Sequence, residues 1–151
     1  MMKYLLDTDS LTFLCDNQRA EHEIFMGKLE QLADEDILCF SVLSVFELEY
    51  SFANATDTMK ANKIRETIDT ILNTPNLLSL PIKAEMAWWY GKAKRILKQK
   101  ENISRENIKK FNVDMMLASV AIHEGCTLVS GDKIYQRIAQ HQTELKAECW
   151  W

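Results

Sequence analysis

Short apolar runs alternate along the chain with longer stretches of helical periodicity. The apolar runs fall at residues 4–6, 37–43, 77–80, 126–129 and 145–149. Strands buried on both faces have this character, and strands that alternate with helices form a parallel sheet covered on both sides. At 151 residues the chain is long enough to bury one core. The alternation therefore predicts a single domain over residues 1–151, with a three-layer α/β/α fold around a central parallel sheet of four to five strands.

Capping signals predict several helix boundaries. Ser44–Glu47 matches the S-x-x-E capping box, so a helix is expected to begin there. Pro81 suits the first position of a helix and predicts a long one through Gln99. Asn112 is expected to cap a further helix, which Gly125 then ends.

Composition argues against several classes of site. The chain has only four Gly residues and no Gly-rich phosphate loop. Its four Cys residues are scattered without a C-x-x-C pair, so a zinc site is not expected and the thiols are predicted to be reduced. No stretch approaches the roughly 18 apolar residues of a membrane span, and no signal peptide is recognisable. We therefore expect a cytoplasmic protein with no membrane partner.

Four acidic residues occupy equivalent places, where a strand ends or the next helix begins: Asp7, Glu47, Asp114 and Asp132. Each also has a purely structural interpretation. Asp7 and Asp132 can cap the helices that follow them, and Glu47 can complete the capping box. Asp114 can be a first-turn charge that the helix dipole favours. Considered singly, the four positions leave structure and function as open alternatives.

Considered together, the four carboxylates favour a metal site. The carboxyl ends of parallel strands meet at one edge of the sheet, where ligands bind in folds of this class. Several carboxylates in one pocket repel one another unless a cation neutralises them, and oxygen-only ligands select Mg²⁺ or Mn²⁺. Such ions activate water and polarise phosphoryl oxygens, so the pattern favours phosphodiester hydrolysis.

An ordered set of motifs connects these residues to a family. LLDTDS near the start is followed by SVFEL, then NVDMMLASVAIHEG, then LVSGD. In order and spacing the set resembles the PIN domain, in particular the VapC-like toxins of bacterial toxin–antitoxin pairs. The sequence departs from the family pattern at Ser119, where Ala is commoner, and at Tyr50-Ser51, where a Gly often occurs. These departures affect packing and substrate fit rather than the carboxylates.

The resemblance implies an activity and a set of roles. It implies a divalent-metal-dependent endoribonuclease, using Mg²⁺ or Mn²⁺, that acts on RNA as the toxin of a pair. Its implied metal-binding and catalytic residues are Asp7, Glu47, Asp114 and Asp132. Ser130 stands where the family often has Thr, and Asp9 where it often has Asn, so both are expected beside the metal rather than bound to it. The implied partner is a cognate antitoxin whose C-terminal segment covers the acidic site.

A basic block stands out in an otherwise acidic chain. The net charge is −4, yet residues 92–110 hold eight Lys or Arg against two Glu. Such a block is suited to contact phosphates, although a solvated helix face is an equally good explanation for any one residue. The residues proposed for RNA contact are Lys92, Arg95, Lys98, Lys109 and Lys110.

The tryptophans suggest an assembly. Trp88, Trp89, Trp150 and Trp151 are expected to leave apolar surface exposed, which usually marks an interface. We therefore expect a homodimer.

Two other functions fit parts of the pattern. Asp7-Thr8-Asp9 after a first strand also resembles the haloacid-dehalogenase phosphatases, in which Asp7 would be the nucleophile. That family has no role for Glu47, and its second late acidic residue is missing after Asp132. A non-catalytic PIN-like binding module is the other alternative, although such modules lose carboxylates that this chain retains.

Overall fold

The computed structural model of the protein describes all residues, 1–151. Its strands are β1 (Lys3–Leu6), β2 (Ile37–Ser41), β3 (Leu77–Leu80), β4 (Thr127–Val129) and β5 (Lys146–Glu148). Its helices are α1 (Thr8–Cys15), α2 (His22–Leu29), α3 (Val42–Asn54), α4 (Thr58–Asn73), α5 (Met86–Lys100), α6 (Asn112–Glu124) and α7 (Lys133–His141), with a 3₁₀ turn at Asn107–Phe111. None of the helices combines the length and the apolar character that a membrane span needs.

The five strands form one sheet in the order β3-β2-β1-β4-β5, and every neighbouring pair is parallel. The predicted parallel sheet of four to five strands is confirmed. The chain leaves β1 toward β2 on one side and later returns to place β4 on the other side. In open parallel sheets, the crevice beyond the carboxyl ends at such a reversal is where ligands bind.

Two apolar cores cover the two faces of the sheet, because successive residues of each strand point to opposite sides. Leu5, Cys39 and Leu128 face a core built with α5, α6 and α7. Leu6 and Val129 face a second core built with α1, α2, α3 and α4. The three-layer α/β/α architecture is therefore confirmed.

The predicted capping box at Ser44 is wrong. The Oγ atom of Ser41, the last residue of β2, accepts a hydrogen bond from the Leu43 backbone nitrogen at 3.2 Å and caps α3. Ser44 is buried inside the helix, and its hydroxyl has no partner. The strand runs directly into the helix, so the first available serine caps it. Glu47 consequently lies in the second turn of α3.

The helix start predicted at Pro81 is also wrong, because α5 begins at Met86. Residues 81–85 are exposed and contain no helix, whereas Met86 is 2% exposed and anchors the helix start in the core. Asn112 begins α6 without capping it, because its side chain accepts hydrogen bonds from Lys94 and Tyr90 instead. Gly125 ends α6 as predicted, in the left-handed conformation at φ 67°.

Three aromatic residues pack against Trp150 and Trp151. The Trp150 ring lies 5.3 Å from Tyr4 and 5.2 Å from Phe25, between centroids. The Trp151 ring lies 4.8 Å from Phe13. Trp150 is 4% exposed, so the expectation of exposed apolar surface was wrong for this residue. Trp88, at 63% exposed, is the tryptophan that meets that expectation.

Trp151 also contacts the loop that connects β4 to α7. A Cβ atom added to Gly131 would lie 2.8 Å from Cζ2 of the Trp151 ring, closer than such atoms approach. Gly131 stands between Ser130 and Asp132. The absence of a side chain at this position therefore lets the loop lie directly on the indole.

The substitution Gly131→Ala tests this contact. We expect it to lower the free energy of unfolding by about 1–3 kcal/mol, because the added methyl would clash with the Trp151 ring, which then has to shift. In a Trp151→Ala background the same change should cost much less, since the clashing ring is gone. Urea unfolding of the parent, the two single variants and the double variant gives the coupling free energy between the two positions. Gly27→Ala is the control, because its Cβ meets nothing and Ala favours the helix. An equal cost in both backgrounds would contradict the packing described.

Candidate active site

A cleft of about 350 Å³ opens beyond the carboxyl ends of the central strands. It is lined by Asp7, Thr8, Asp9, Glu47, Tyr50, Ser51, Asp114, Leu117, Asp132 and Tyr135. Five of these residues are acidic and none is basic. The four carboxylates singled out in the sequence thus line one cleft together with Asp9.

Asp7 is held firmly where β1 turns into α1. Its backbone nitrogen donates to the Val129 carbonyl at 3.2 Å, which ties it to β4. Its Oδ1 accepts from the Ser10 backbone nitrogen at 2.8 Å and lies 2.6 Å from the Ser10 hydroxyl. Asp7 is only 7% exposed, and this burial raises the pKa of its carboxyl, while hydrogen bonds from Ser10 and Ser130 act in the opposite direction. Asp7 is therefore both the cap of α1 and a desolvated carboxyl in the cleft.

Asp132 performs the same structural task after β4. Its Oδ1 accepts from the Ile134 backbone nitrogen at 3.0 Å and caps α7. Its own backbone nitrogen donates to the hydroxyl of buried Ser130 at 3.0 Å. Ser130 thus holds the loop of Asp132, and its nearby hydroxyl also acts to lower the pKa of the Asp7 carboxyl.

Asp114 enters the cleft from the first turn of α6. Its Oδ1 accepts a hydrogen bond from the hydroxyl of Tyr135 at 3.3 Å. Burial raises the pKa of the Asp114 carboxyl, and the negative charges of Asp132 and Asp7 raise it further. The neighbouring acids also raise the pKa of buried Tyr135, after the larger effect of burial, so the phenol stays protonated and donates. Tyr135 thereby orients Asp114.

Glu47 forms the opposite wall. Its Oε1 accepts from the Thr8 hydroxyl at 3.0 Å, which joins α3 to the start of α1. Although much of the residue is exposed, desolvation of its carboxyl raises the pKa, and Asp114, Asp7 and Asp9 add to the rise. Asp9 itself is exposed in the first turn of α1.

Sequence reasoning missed the roles of Tyr135 and Thr8. Sequence reasoning assigned neither residue a place in the site. The available signal was spacing. Tyr135 lies one helical turn after Asp132, and Thr8 directly follows Asp7, so both residues belong to the edge of the sheet that carries the acids.

The negative charge of the cleft is not compensated within the chain. None of the seven ion pairs in the structure includes a carboxylate that lines the cleft. No group of three Asp, Glu, His or Cys side chains is close enough to enclose a metal ion. Mg²⁺ is commonly held by one or two carboxylates with water completing its shell, so this oxygen-only donor set fits such an ion.

The basic block lies outside the lining of the cleft, and the structure divides its members. Lys92 pairs with Glu144 at 3.4 Å, and Lys109 pairs with Glu106 at 3.3 Å. The other residues proposed for RNA contact have no carboxylate within 4.0 Å: Arg95, Lys98 and Lys110.

The raised pKa of Asp7 predicts a pH dependence of stability. Without metal, folded Asp7 holds its proton to higher pH than the unfolded chain does, so unfolding releases protons. Its contribution to the free energy of unfolding is therefore present below about pH 4 and is lost as the pH rises through the raised pKa. Asp7→Asn should remove this loss, so that urea unfolding in chelator shows a smaller decline with pH than in the parent.

Glu49→Gln provides the control of opposite sign. The paired Arg65 guanidinium lowers the pKa of Glu49, so this group contributes stability that appears as the pH rises. Its removal should make the decline with pH steeper. A decline that is identical in Asp7→Asn and the parent would contradict the burial of Asp7.

Comparison with solved structures places this fold among toxin–antitoxin proteins. A chain of VapBC2 from Rickettsia felis, bound to a DNA fragment of its promoter, superposes with a TM-score of 0.75 and 25% identity, covering 99% of this chain and 100% of that one. VapBC-1 from nontypeable Haemophilus influenzae gives 0.70 and 22%, over 99% and 98%. VapC20 from Mycobacterium tuberculosis, described as a sarcin–ricin loop cleaving toxin, gives 0.60 and 11%, over 89% and 93%.

Sequence comparison assigns the family. No curated protein matches the chain. The family model of the PIN domain matches residues 4–140, a span that includes most of β1, the whole cleft and most of α7. The chain therefore belongs to the PIN domain family.

Proposed function

We propose that residues 1–151 form a single PIN-domain unit that hydrolyses RNA as a divalent-metal-dependent endoribonuclease, the toxin of a toxin–antitoxin pair. The observation that carries the proposal is the cleft with five carboxylates and no cation. Five carboxylates in one cleft, with Asp7 and Asp114 desolvated, are costly unless a cation is bound, and Mg²⁺ or Mn²⁺ matches the oxygen donors. Hydrolysis of phosphate esters is a reaction that such an ion promotes, because it polarises the phosphoryl group and activates water.

The roles follow from burial and anchoring. Asp7 and Asp114 would hold the ion, because they are the two desolvated aspartates and each is oriented by a hydrogen bond. Glu47 and Asp132 complete the site through direct or water-bridged contacts. Asp9 and Ser130 lie beside the ion rather than on it.

When bound, the ion activates a water molecule and polarises the scissile phosphate. The protein residues provide orientation. Thr8 fixes Glu47, Tyr135 fixes Asp114, and Ser130 fixes the loop of Asp132. Water attack in line with the leaving 3′ oxygen gives products with 5′-phosphate and 3′-hydroxyl ends.

The relatives support RNA as the substrate class and a toxin role. One of them is named for cleaving the sarcin–ricin loop, which is RNA, and two others are VapBC complexes. A cytoplasmic site of action is part of the proposal, because RNA is the substrate and all four cysteines are free.

An antitoxin is the proposed protein partner. A second groove, of about 340 Å³ between α1, α3 and α4, shares Thr8, Asp9, Tyr50 and Ser51 with the acidic cleft. A peptide that follows this groove reaches the carboxylates directly. An Arg on that peptide would pair with them in bidentate fashion and block the site.

A homodimer is proposed from the exposed apolar residues near the start of α5. Trp88 is 63% exposed and Ile82 is 44% exposed. Beside them, Met86, Tyr90 and Met116 line an apolar groove of about 340 Å³. Exposed apolar surface of this kind is typical of an interface.

The two alternatives lose support. Because the PIN family model matches residues 4–140, the hypothesis that Asp7-Thr8-Asp9 is the motif of a haloacid-dehalogenase phosphatase loses its support. A non-catalytic PIN module is disfavoured because the cleft retains every carboxylate. The cleavage experiment below decides that point directly.

Asp7→Asn should lower RNA cleavage at least about 100-fold while the protein remains folded. The change removes a ligand charge, yet Asn still caps α1 and keeps the shape of the side chain. Cleavage of defined RNAs with and without Mg²⁺ or Mn²⁺, followed by end-group analysis, is the measurement. Asp57→Asn is the matched control, because Asp57 also caps a helix, α4, but lies outside the cleft.

Three outcomes would contradict the proposal. They are full cleavage by Asp7→Asn, cleavage that persists in excess chelator, and products that end in 2′,3′-cyclic phosphate. The last would mean that the 2′-hydroxyl of the RNA, not water, is the nucleophile.

Trp88→Glu should convert the proposed dimer into a monomer, because a charge in an apolar interface is costly to desolvate. Light scattering coupled to size-exclusion chromatography measures the mass. Leu72→Glu is the control, since Leu72 is 56% exposed on α4, away from this surface. A parent protein that is monomeric at high concentration would refute the dimer.

A further inference from the structure

A second groove, unlike the acidic cleft in charge, lies at the C-terminal end of α5. It encloses about 540 Å³, and Lys94, Arg95, Lys98, Gln99 and Asn102 are among the residues that line it. No acidic side chain lines it. The groove therefore offers three cationic groups and two side-chain amides to a ligand.

The cations of this groove have no anionic partner within the chain. Lys94, Arg95 and Lys98 take part in none of the ion pairs, whereas Lys92 on the same helix is paired with Glu144. The nearby carboxylate of Glu101 is itself bound by Arg137, at 2.8 and 3.0 Å. Positive charge thus remains free at this point of a chain whose net charge is −4.

The backbone fixes the shape of the groove. The Ile103 nitrogen donates to the Lys98 carbonyl at 3.1 Å, closing a Schellman turn after the end of α5. Asn102 takes the left-handed position of that turn, at φ 52°. Ile103 then packs against the core that contains α5. The turn holds the Asn102 amide beside the last two turns of the helix without needing a ligand to order it.

The groove is linked by hydrogen bonds to α6 and α7, two helices whose residues also line the acidic cleft. The Lys94 Nζ donates to Asn112 Oδ1 at 3.0 Å, and Asn112 is two residues before Asp114 on α6. The pair Arg137–Glu101 joins the same end of α5 to α7, the helix that Asp132 caps. The basic end of α5 is therefore fixed against both helices that carry aspartates into the cleft.

Helical spacing suits the groove to a phosphate chain. Lys94 and Lys98 are four residues apart and share a face of α5 with Arg95 beside them, a span of about 6 Å along the helix. Lysine and arginine donate charge-assisted hydrogen bonds to phosphate oxygens, and the side-chain amides add neutral ones. An acidic cleft repels a polyanion, so attraction for the rest of the strand has to come from a separate surface such as this one.

We propose that this groove binds the backbone phosphates of a single-stranded RNA next to the bond that is cut, an inference that rests on the proposed function. Arg95 and Lys98 provide the phosphate contacts, and Lys94 contributes charge while it remains anchored to Asn112. Lys92 and Lys109 contribute less, because their ammonium groups are already paired with Glu144 and Glu106.

The test measures binding separately from cleavage. Affinity for a labelled single-stranded oligouridylate is determined by fluorescence anisotropy, in an Asp7→Asn background without divalent ions and over a range of salt concentrations. The double substitution Arg95→Gln/Lys98→Gln should weaken binding at least about tenfold. It should also reduce the slope of log affinity against log salt by about 1.4, since each phosphate contact on a single strand accounts for about 0.7.

Lys28→Gln/Lys146→Gln is the matched control. It also removes two positive charges, but from exposed, unpaired lysines on α2 and β5. Its RNA affinity and its salt slope should therefore equal those of the parent. Equal losses in both double variants would reduce the effect to net charge and overturn the proposal. Unchanged RNA affinity in the groove variant would overturn it too. So would a groove variant that binds a DNA duplex more weakly but binds the single-stranded RNA as the parent does.

A cleavage assay with Asp7 intact separates this inference from the proposed function. In Mg²⁺ or Mn²⁺ the groove variant should raise KM and leave kcat within about twofold, because the groove holds RNA without touching the reacting atoms. Normal cleavage with an unchanged KM would refute the groove and leave the nuclease intact. Groove-dependent RNA binding by a parent that cuts no RNA would refute the nuclease and leave the groove intact.

Discussion

Repulsion among carboxylates that share one cleft is the constraint around which this molecule is built. Burial raises the pKa of Asp7, Glu47 and Asp114, the charges of neighbouring acids raise each of them further, and no basic side chain lines the cleft. A domain of this size has only a few kcal/mol of net stability to lose. The fold tolerates the arrangement because each acid is anchored by a hydrogen bond that also serves the structure. Asp7 and Asp132 cap helices, Thr8 donates to Glu47, and Tyr135 donates to Asp114.

The sheet order explains why the acids meet. With β1 in the middle, β2 on one side and β4 on the other, the strands that lead to Asp7, Glu47 and Asp132 are neighbours. Asp114 reaches the same place because α6 starts above the carboxyl end of the sheet. Charge is then separated in space. Five acidic groups line the cleft at the reversal in strand order, and three positive groups without a carboxylate partner line the groove at the end of α5 that contacts α6 and α7.

The parts of this structure that follow from local chemistry were predictable from the sequence. The alternation of apolar runs with helical periodicity predicted the sheet, and acids placed after strands predicted the cleft. Features decided by tertiary packing were not predictable. Ser44 has a capping sequence, but the strand runs straight into α3 and Ser41 caps it first. Pro81 has a helix-start sequence, but burial of Met86 sets the start of α5.

Side-chain roles that depend on distant partners were equally hidden. Nothing in the sequence near Trp150 shows that Tyr4 and Phe25 will enclose it. Asn112 was expected to cap its own helix, yet its side-chain oxygen accepts a hydrogen bond from Lys94 of α5. The catalytic and metal-binding roles of the four carboxylates remain predictions. The structure shows that the four residues line one cleft, and experiments have to test their chemistry.

The pairing of β1 with β4 has a consequence for synthesis of the chain. Asp7 is made well before its partners, because its backbone nitrogen bonds the Val129 carbonyl, and Ser130 and Asp132 come later still. At typical translation rates roughly 6–25 s separate the synthesis of Asp7 from that of Asp132. Contacts this distant in sequence also form slowly, because a long loop must close first. A growing chain therefore carries no complete acidic cleft until Asp132 has been made and β4 has paired with β1.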